Sequence, residues 1–213
     1  MIRILLADDH EVIRSGLKYF MSSVVAHPVI HEAWDGNSTM EKVKENEYQL
    51  IIMDLNMPQT NCFELLADII DTRPDTKILI FSINPEDVHA KRYLQLGAKG
   101  YVNKNAPPSE LGNAIITILE NKLYISPSLS DVITGHLLSK KTGNPFDILS
   151  AREFEIVQQL IQGRSLTDIR VALHLKSSTV STYKGRIFEK LKCNNIIEVV
   201  QLAKLYNILP SGI

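Results

Sequence analysis

The sequence predicts a five-stranded, doubly wound parallel α/β sheet followed by a C-terminal all-α domain of four helices. Three observations carry this. Short apolar runs alternate with amphipathic segments through about residue 125. A stretch punctuated by Ser126-Pro127-Ser128 and Lys140-Lys141-Thr142-Gly143-Asn144-Pro145 then breaks both patterns. Beyond it, apolar residues recur at helical spacing between capping residues and Gly.

The strands are read at Ile2–Ala7, Pro28–Ala33, Leu50–Met53, Lys77–Phe81 and Gly100–Val102. Their apolar runs are continuous rather than alternating, which suits strands buried on both faces of a parallel sheet. Between them, Leu65, Leu66, Ile69 and Ile70 form one helical stripe, and Leu111, Ala114, Ile115, Ile118 and Leu119 form another. Strand and helix in alternation imply right-handed crossovers with helices on both faces. Residues 1–124 are assigned to this domain, 125–146 to a linker and 147–213 to the helical domain. Ile133, Leu137 and Leu138 have the spacing of one or two helical turns inside the linker.

In the C-terminal part, Ser150-Ala151-Arg152-Glu153 reads as a capping box ahead of Ile156, Val157, Leu160 and Ile161. Gly163 stops that helix. Ser165 starts a short helix through Ile169, Ala172 and Leu173. After a turn near His174–Lys176 comes a longer helix, Ser178–Lys192, and Asn195 opens a fourth. Two short-linked helices with supports in under 70 residues predict a helix-turn-helix.

Composition narrows the function classes. Hydrophobic residues make up 45% and charged residues 22% of 213, as in a globular protein. No stretch approaches the roughly 20 apolar residues of a membrane helix. The first apolar run meets Asp8 and Asp9 at once, so it reads as a strand and not as a signal peptide. Cys62 and Cys193 lie far apart, which argues against a disulfide framework or a Cys-based zinc site and suits a reducing cytoplasm. Residues 1–146 hold 14 Lys and Arg against 18 Asp and Glu; residues 147–213 hold 9 against 6. The basic C-terminal part permits nucleic-acid binding without establishing it.

In an open parallel sheet, ligands meet the carboxyl ends of the strands. Asp8 and Asp9 follow the first strand, Asp54 the third, Ser82 the fourth, and Lys104 the fifth. Singly, an Asp at such a place is often a cap or turn residue; jointly, the groups converge on one edge. Paired carboxylates with the backbone carbonyl of Asn56 suit an octahedral Mg²⁺. The ion would offset repulsion between a phosphoryl group and Asp54, the expected nucleophile. Lys104 would meet a phosphoryl oxygen as a point charge and the Ser82 hydroxyl another.

The blocks Ile4-Leu5-Leu6-Ala7-Asp8-Asp9-His10, Asp54-Leu55-Asn56-Met57-Pro58, Ser82 and Lys104 resemble the receiver domain of two-component response regulators over residues 1–122. The resemblance implies a CheY/flavodoxin-like fold with Asp54 as phosphoacceptor, Asp8 and Asp9 as metal ligands, and Ser82 as the switch hydroxyl. It also implies Tyr101 as the aromatic that reorients on activation. A Gly of the family's loop is replaced by Cys62, so the loop either turns at Asn61 or sits differently. The segment Leu149–Val157 with Gly163, Ile169, Leu173, Thr179-Val180 and Lys190-Leu191 resembles the DNA-binding domain of the LuxR/NarL (FixJ) group over about residues 148–208. That implies a third helix entering the major groove.

In that helix Val180, Tyr183, Ile187 and Leu191 share one face and are expected in the core. Ser178, Ser181, Thr182, Gly185, Arg186 and Glu189 are then exposed. Hydroxyls and long bases suit phosphates and base edges, so Lys176, Ser178, Thr179, Ser181, Thr182, Lys184 and Arg186 are the expected DNA-binding residues. Lys176, Arg170, Ser181 and Tyr183 depart from the family's usual residues, and Gly185 leaves a groove-facing place bare.

The reading is a non-enzymatic, cytoplasmic transcription factor, phosphorylated by a sensor histidine kinase, that dimerises and binds double-stranded DNA. Phosphorylation is expected to draw in Ser82 and Lys104, turn Tyr101 inward and remodel the face of the fourth and fifth helices. One alternative is an aspartyl-phosphate phosphohydrolase; those of the haloacid dehalogenase kind have a second Asp two residues after the nucleophile, where Asn56 stands. The other is a phosphorylation-independent interaction protein.

Overall fold

A computed structural model describes residues 1–130, 144–173, 175–206 and 208. The linker turns expected around Ile133, Leu137 and Leu138 lie outside the described residues. The chain divides into two compact units, Met1–Gly135 and His136–Ile213.

Through residue 119 of the first unit, five strands alternate with five helices: β1 Arg3–Ala7, α1 Glu11–Val24, β2 Val29–Ala33, α2 Gly36–Glu45, β3 Leu50–Met53, α3 Cys62–Thr72, β4 Lys77–Ser82, α4 Glu86–Leu96, β5 Gly100–Asn103 and α5 Pro108–Leu119. All pairings are parallel, in the order β2-β1-β3-β4-β5. This is the doubly wound order whose switch point lies between β1 and β3. One face packs Leu5, Ile51, Met53, Ile78 and Ile80 under Val43 of α2, Leu65, Leu66 and Ile69 of α3, and Tyr93 of α4. The other packs Ile4, Leu6, Leu50, Ile52, Leu79 and Val102 under Leu17 and Met21 of α1 and Leu111, Ile115 and Ile118 of α5. Successive residues of β1 and β3 serve opposite cores, so both alternate positions are apolar.

The strand tips extend the ladder by one residue each. Asp8 N donates to Ala33 O (3.1 Å), Asp54 N to Ala7 O (2.8 Å) and Lys104 N to Ser82 O (2.9 Å). These bonds place the acidic and basic groups on one rim.

Among the described residues, the second unit holds a 3₁₀ turn, Pro145–Ile148, and four helices: α6 Ala151–Ile161, α7 Leu166–Ala172, α8 Ser177–Leu191 and α9 Ile196–Leu205. Phe146, Phe154, Ile156, Val157, Ile169, Val180, Ile187 and Val199 are fully buried. Ser150 and Glu153 form the expected capping box, and Ser165 forms a second one with Asp168. Gly163 ends α6 at φ +78°, a left-handed conformation that suits Gly. Asn195 caps α9 by accepting from Glu198 N.

Glu153 does more than cap. Its Oε2 also accepts from Lys190 Nζ at 2.6 Å, tying the start of α6 to the end of α8. Burial alone would raise its carboxyl, but hydrogen bonds from Lys190 and Ser150 outweigh burial and hold it below the ordinary carboxylate range. A carboxyl lowered in the folded state stabilises above its unfolded value, and that stabilisation fades as pH falls through the folded one. The helical unit is therefore expected to lose melting temperature as pH drops below about 4.5. Glu153→Gln should flatten that dependence, read by circular dichroism melts across pH 3–6 (about the titration range of a carboxyl).

Candidate functional site

The rim of the sheet assembles the acidic pocket. Lys104 Nζ lies 2.6 Å from Asp8 Oδ2 and 2.9 Å from Asp54 Oδ2, with the side chains of all three buried. Asp54 Oδ1 accepts from Leu55 N at 2.7 Å. Asp8 is braced from outside: its carboxylate accepts from His10 N (2.8 Å), and its carbonyl from Arg14 Nη1 (2.8 Å). Arg14 in turn pairs with Glu32 at 2.9 Å, and Lys18 joins that carboxylate.

His10 belongs to this site although the sequence reading assigned it no role. Its Nδ1 is 2.8 Å from Asp9 Oδ1 and 3.2 Å from Asp8 Oδ1. Its place directly after the Asp pair was the available signal. Ligand atoms of Asp8, Asp9, His10 and Asp54 all lie within 4.8 Å of one another, a spacing that can hold a metal ion. Asp9 Oδ1 is buried and, among the described residues, accepts no well-directed hydrogen bond, His10 notwithstanding. A donor set of hard carboxylate oxygens with an oxygen left unsatisfied fits a hard divalent cation.

Ser82 is fully buried at the end of β4. Its Oγ accepts from Asn56 Nδ2 and from Asn84 N, each at 3.3 Å. The Asn56 side chain thus bridges the β3 loop to the β4 tip. Tyr101 already lies inward, 1% exposed, where phosphorylation is expected to turn it, and its hydroxyl donates to Asn84 O at 2.9 Å. Burial pushes that hydroxyl above the ordinary phenol range, so it remains a donor. Asn103 Nδ2 donates to the same carbonyl at 3.0 Å.

The loop carrying Cys62 resolves the two options left open by the sequence. Asn61 takes the turn: it caps α3, accepting from Phe63 N and Glu64 N. Cys62 is then the first helical residue and needs no left-handed angle. The positive φ falls earlier, on Gln59 (+52°). The buried thiol donates to the carbonyls of Asp54 (3.5 Å) and Leu55 (3.4 Å), directly under the pocket.

On α8, Val180, Ile187 and Leu191 are buried, and Ser178, Ser181, Thr182, Gly185, Arg186 and Glu189 are exposed, as the periodicity predicts. Tyr183 departs from expectation. It is only half-buried and lines a shallow depression with Ser178, Thr179, Thr182 and Arg186. Its hydroxyl favours a wet edge over the core. Lys184 lies partly over the Phe188 ring (5.4 Å), and Thr182 Oγ1 donates to Ser178 O.

Lys176 stands at the N-cap of α8 with no side-chain cap bond. Lys176→Ser is expected to supply one, adding about 1 kcal/mol. Thermal unfolding of the helical unit should then shift upward by about 4–8 °C.

The chain is similar to known proteins along its whole length. Residues 4–116 match the family model of the response regulator receiver domain, and residues 147–203 match that of bacterial regulatory proteins of the luxR family. The response regulator GacA of Pseudomonas viridiflava is 32% identical over 213 residues, covering 100% of both chains. The response regulator UvrY of Escherichia coli K12 is 30% identical over 204 residues, covering 95% of this chain and 94% of that one. Among solved structures, RcsB of Salmonella typhimurium superposes with a TM-score of 0.75 at 21% identity, covering 98% of each chain. RcsB of Salmonella enterica serovar Typhimurium, bound to promoter P1flhDC with the phosphomimetic BeF3⁻, gives a TM-score of 0.74 at 21% identity over 94% of this chain and 97% of that one.

Proposed function

This chain belongs to the bacterial response regulators that join a receiver domain to a LuxR-type DNA-binding domain, and it regulates transcription by binding DNA; from that premise we propose that Asp54 is the phosphoacceptor and that its charge state gates the DNA-binding form. The observation that carries the proposal is Lys104 Nζ, held between the Asp8 and Asp54 carboxylates at the carboxyl rim of the sheet.

The phosphoryl donor is a phosphohistidine on a partner sensor kinase. An Asp54 carboxylate oxygen attacks phosphorus, the P–N bond breaks, and the leaving imidazole takes a proton from solvent. Asp8, Asp9, Asp54 and the Asn56 backbone carbonyl are the residues that would hold Mg²⁺, which supplies charge neutralisation between carboxylates and phosphoryl oxygens. The product carries a charge of about −1.5 to −2 where the free carboxylate carried one negative charge, and it adds acceptor oxygens. Lys104 pairs with one such oxygen and the Ser82 hydroxyl donates to another, leaving its contacts with Asn56 and Asn84. Tyr101, anchored on Asn84 O, follows that loop, and the face of α4 and α5 is remodelled toward a homodimer.

The dimer presents two α8 helices to paired half-sites on double-stranded DNA. Lys176, Ser178, Thr179, Ser181, Thr182, Lys184 and Arg186 are the contact residues, with the exposed Arg186 central. The output is binding in the cytoplasm rather than turnover. Asn56 stands where a phosphohydrolase carries its acid/base Asp, and its amide is engaged with Ser82.

Intact mass after incubation with acetyl phosphate and Mg²⁺ tests the assignment. Wild type is expected to gain one phosphoryl group and Asp54→Ala none. A labelled Asp54→Ala would sink it.

A further inference from the structure

Beyond α5 the chain does not leave the first unit at once. Ser126 is fully buried, and Leu129 sits in the core cluster of α3 and α4. Ser126 Oγ accepts from Leu129 N at 3.0 Å and lies 2.9 Å from Ser128 Oγ. Ser126 O accepts from Ser130 N at 2.9 Å. These residues are therefore docked, although they lie at the start of the connector between the two units.

One partner that holds them is Glu86, the first residue of α4. Ser128 Oγ donates to Glu86 Oε2 at 2.8 Å. The other oxygen, Oε1, is buried and accepts no hydrogen bond among the described residues. Burial pushes this carboxyl above its ordinary range, against the opposing pull of the Ser126 and Ser128 hydroxyls. A half-buried carboxylate with an unsatisfied oxygen gains hydration when it moves outward, which lowers the cost of opening the contact.

Glu86 is also mechanically close to the phosphoacceptor pocket. Asn84 N donates to Ser82 Oγ, and Asn84 O accepts from Tyr101 and Asn103. Pro85 follows at φ −59°. Its ring fixes that angle, which removes one of the soft torsions between Asn84 and Glu86.

We propose that Glu86 is the residue by which the Ser82–Asn84 loop holds the first turn of the connector, and that phosphorylation of Asp54 withdraws it. The proposal rests on Asp54 being the phosphoacceptor. Ser82, drawn toward the new phosphoryl oxygens, pulls Asn84 and Pro85 and lifts Glu86 from Ser128. The turn at Ser126–Ser130 is then released, and the helical domain gains freedom to pair on DNA.

Hydrogen exchange of the full-length chain tests this, following the peptide that contains the Leu129 and Ser130 amides. Wild type, Glu86→Ala and Ser128→Ala are compared with and without beryllofluoride and Mg²⁺. In wild type, beryllofluoride is expected to speed exchange about tenfold, the factor for losing one charge-assisted hydrogen bond. Both variants are expected to exchange at the fast rate in either condition while taking up a phosphoryl group from acetyl phosphate as wild type does. Ser128 is exposed, so its variant keeps the test valid if Glu86→Ala disturbs folding. Variants protected like wild type would overturn the proposal. Normal phosphoryl uptake by wild type without any change in exchange would overturn it too, leaving the Asp54 reading intact. Absence of uptake by wild type would overturn both.

Discussion

Lys104→Met is expected to lower the stability of the receiver by about 3 kcal/mol, the cost of stranding a buried charge whose partner has been removed. The lysine side chain is only 8% exposed, and its ammonium is shared by Asp8 and Asp54. Without it, those carboxylates face each other with Asp9 and His10 alongside. Urea denaturation at low ionic strength with a chelator is the sensitive measurement. Millimolar Mg²⁺ should recover much of the loss, because a divalent cation restores the missing positive charge. The same variant should be slow to accept a phosphoryl group from acetyl phosphate. Unchanged stability in chelator would mean that the lysine is not the counter-charge of the pocket.

Phe154→Ala is expected to unfold the helical domain while leaving the receiver folded. The ring is fully buried in α6, and removing such a side chain costs about 3–5 kcal/mol. A domain of this size has a stability of only a few kcal/mol, so the loss consumes most of it. Calorimetry should show the transition of the helical unit lost or strongly shifted while that of the receiver persists. DNA binding should vanish and phosphoryl uptake by Asp54 continue. Loss of both together would show that the two units fold as one.

Much of the architecture is legible in the chain because the physical signals are local. Leu50–Met53 is observed with the bounds that its apolar run predicts, and β4 gains only Ser82, a polar residue that still pairs with Asn103 in the ladder. The capping box at Ser150 and the stop at Gly163 are read from residues within one turn. The pocket is legible for a different reason: each of its groups ends a strand, and parallel topology brings strand ends together.

Other features depend on contacts that sequence distance conceals. Helix α4 buries His89 and Arg92 beside Val88, Ala90 and Tyr93, so no apolar stripe marks it. His89 is pushed down to about 4 by burial, with Arg92 adding to the effect, and so stays neutral there. Tyr183 falls on the apolar side by spacing, yet its polar tip draws it to the edge of the depression. The Glu86–Ser128 bond spans 42 positions, and neither residue is unusual in its own neighbourhood.

Gly185 leaves a bare length of main chain on the outward side of α8, and a Cβ built there would meet nothing within 4 Å. A Cβ can therefore be added at that point without disturbing a packed atom, and helix propensity would rise for any residue but Pro. For a lineage in which α8 reads DNA as proposed, this is an open slot: one codon change is expected to retune which promoters are read while the scaffold beneath stays the same.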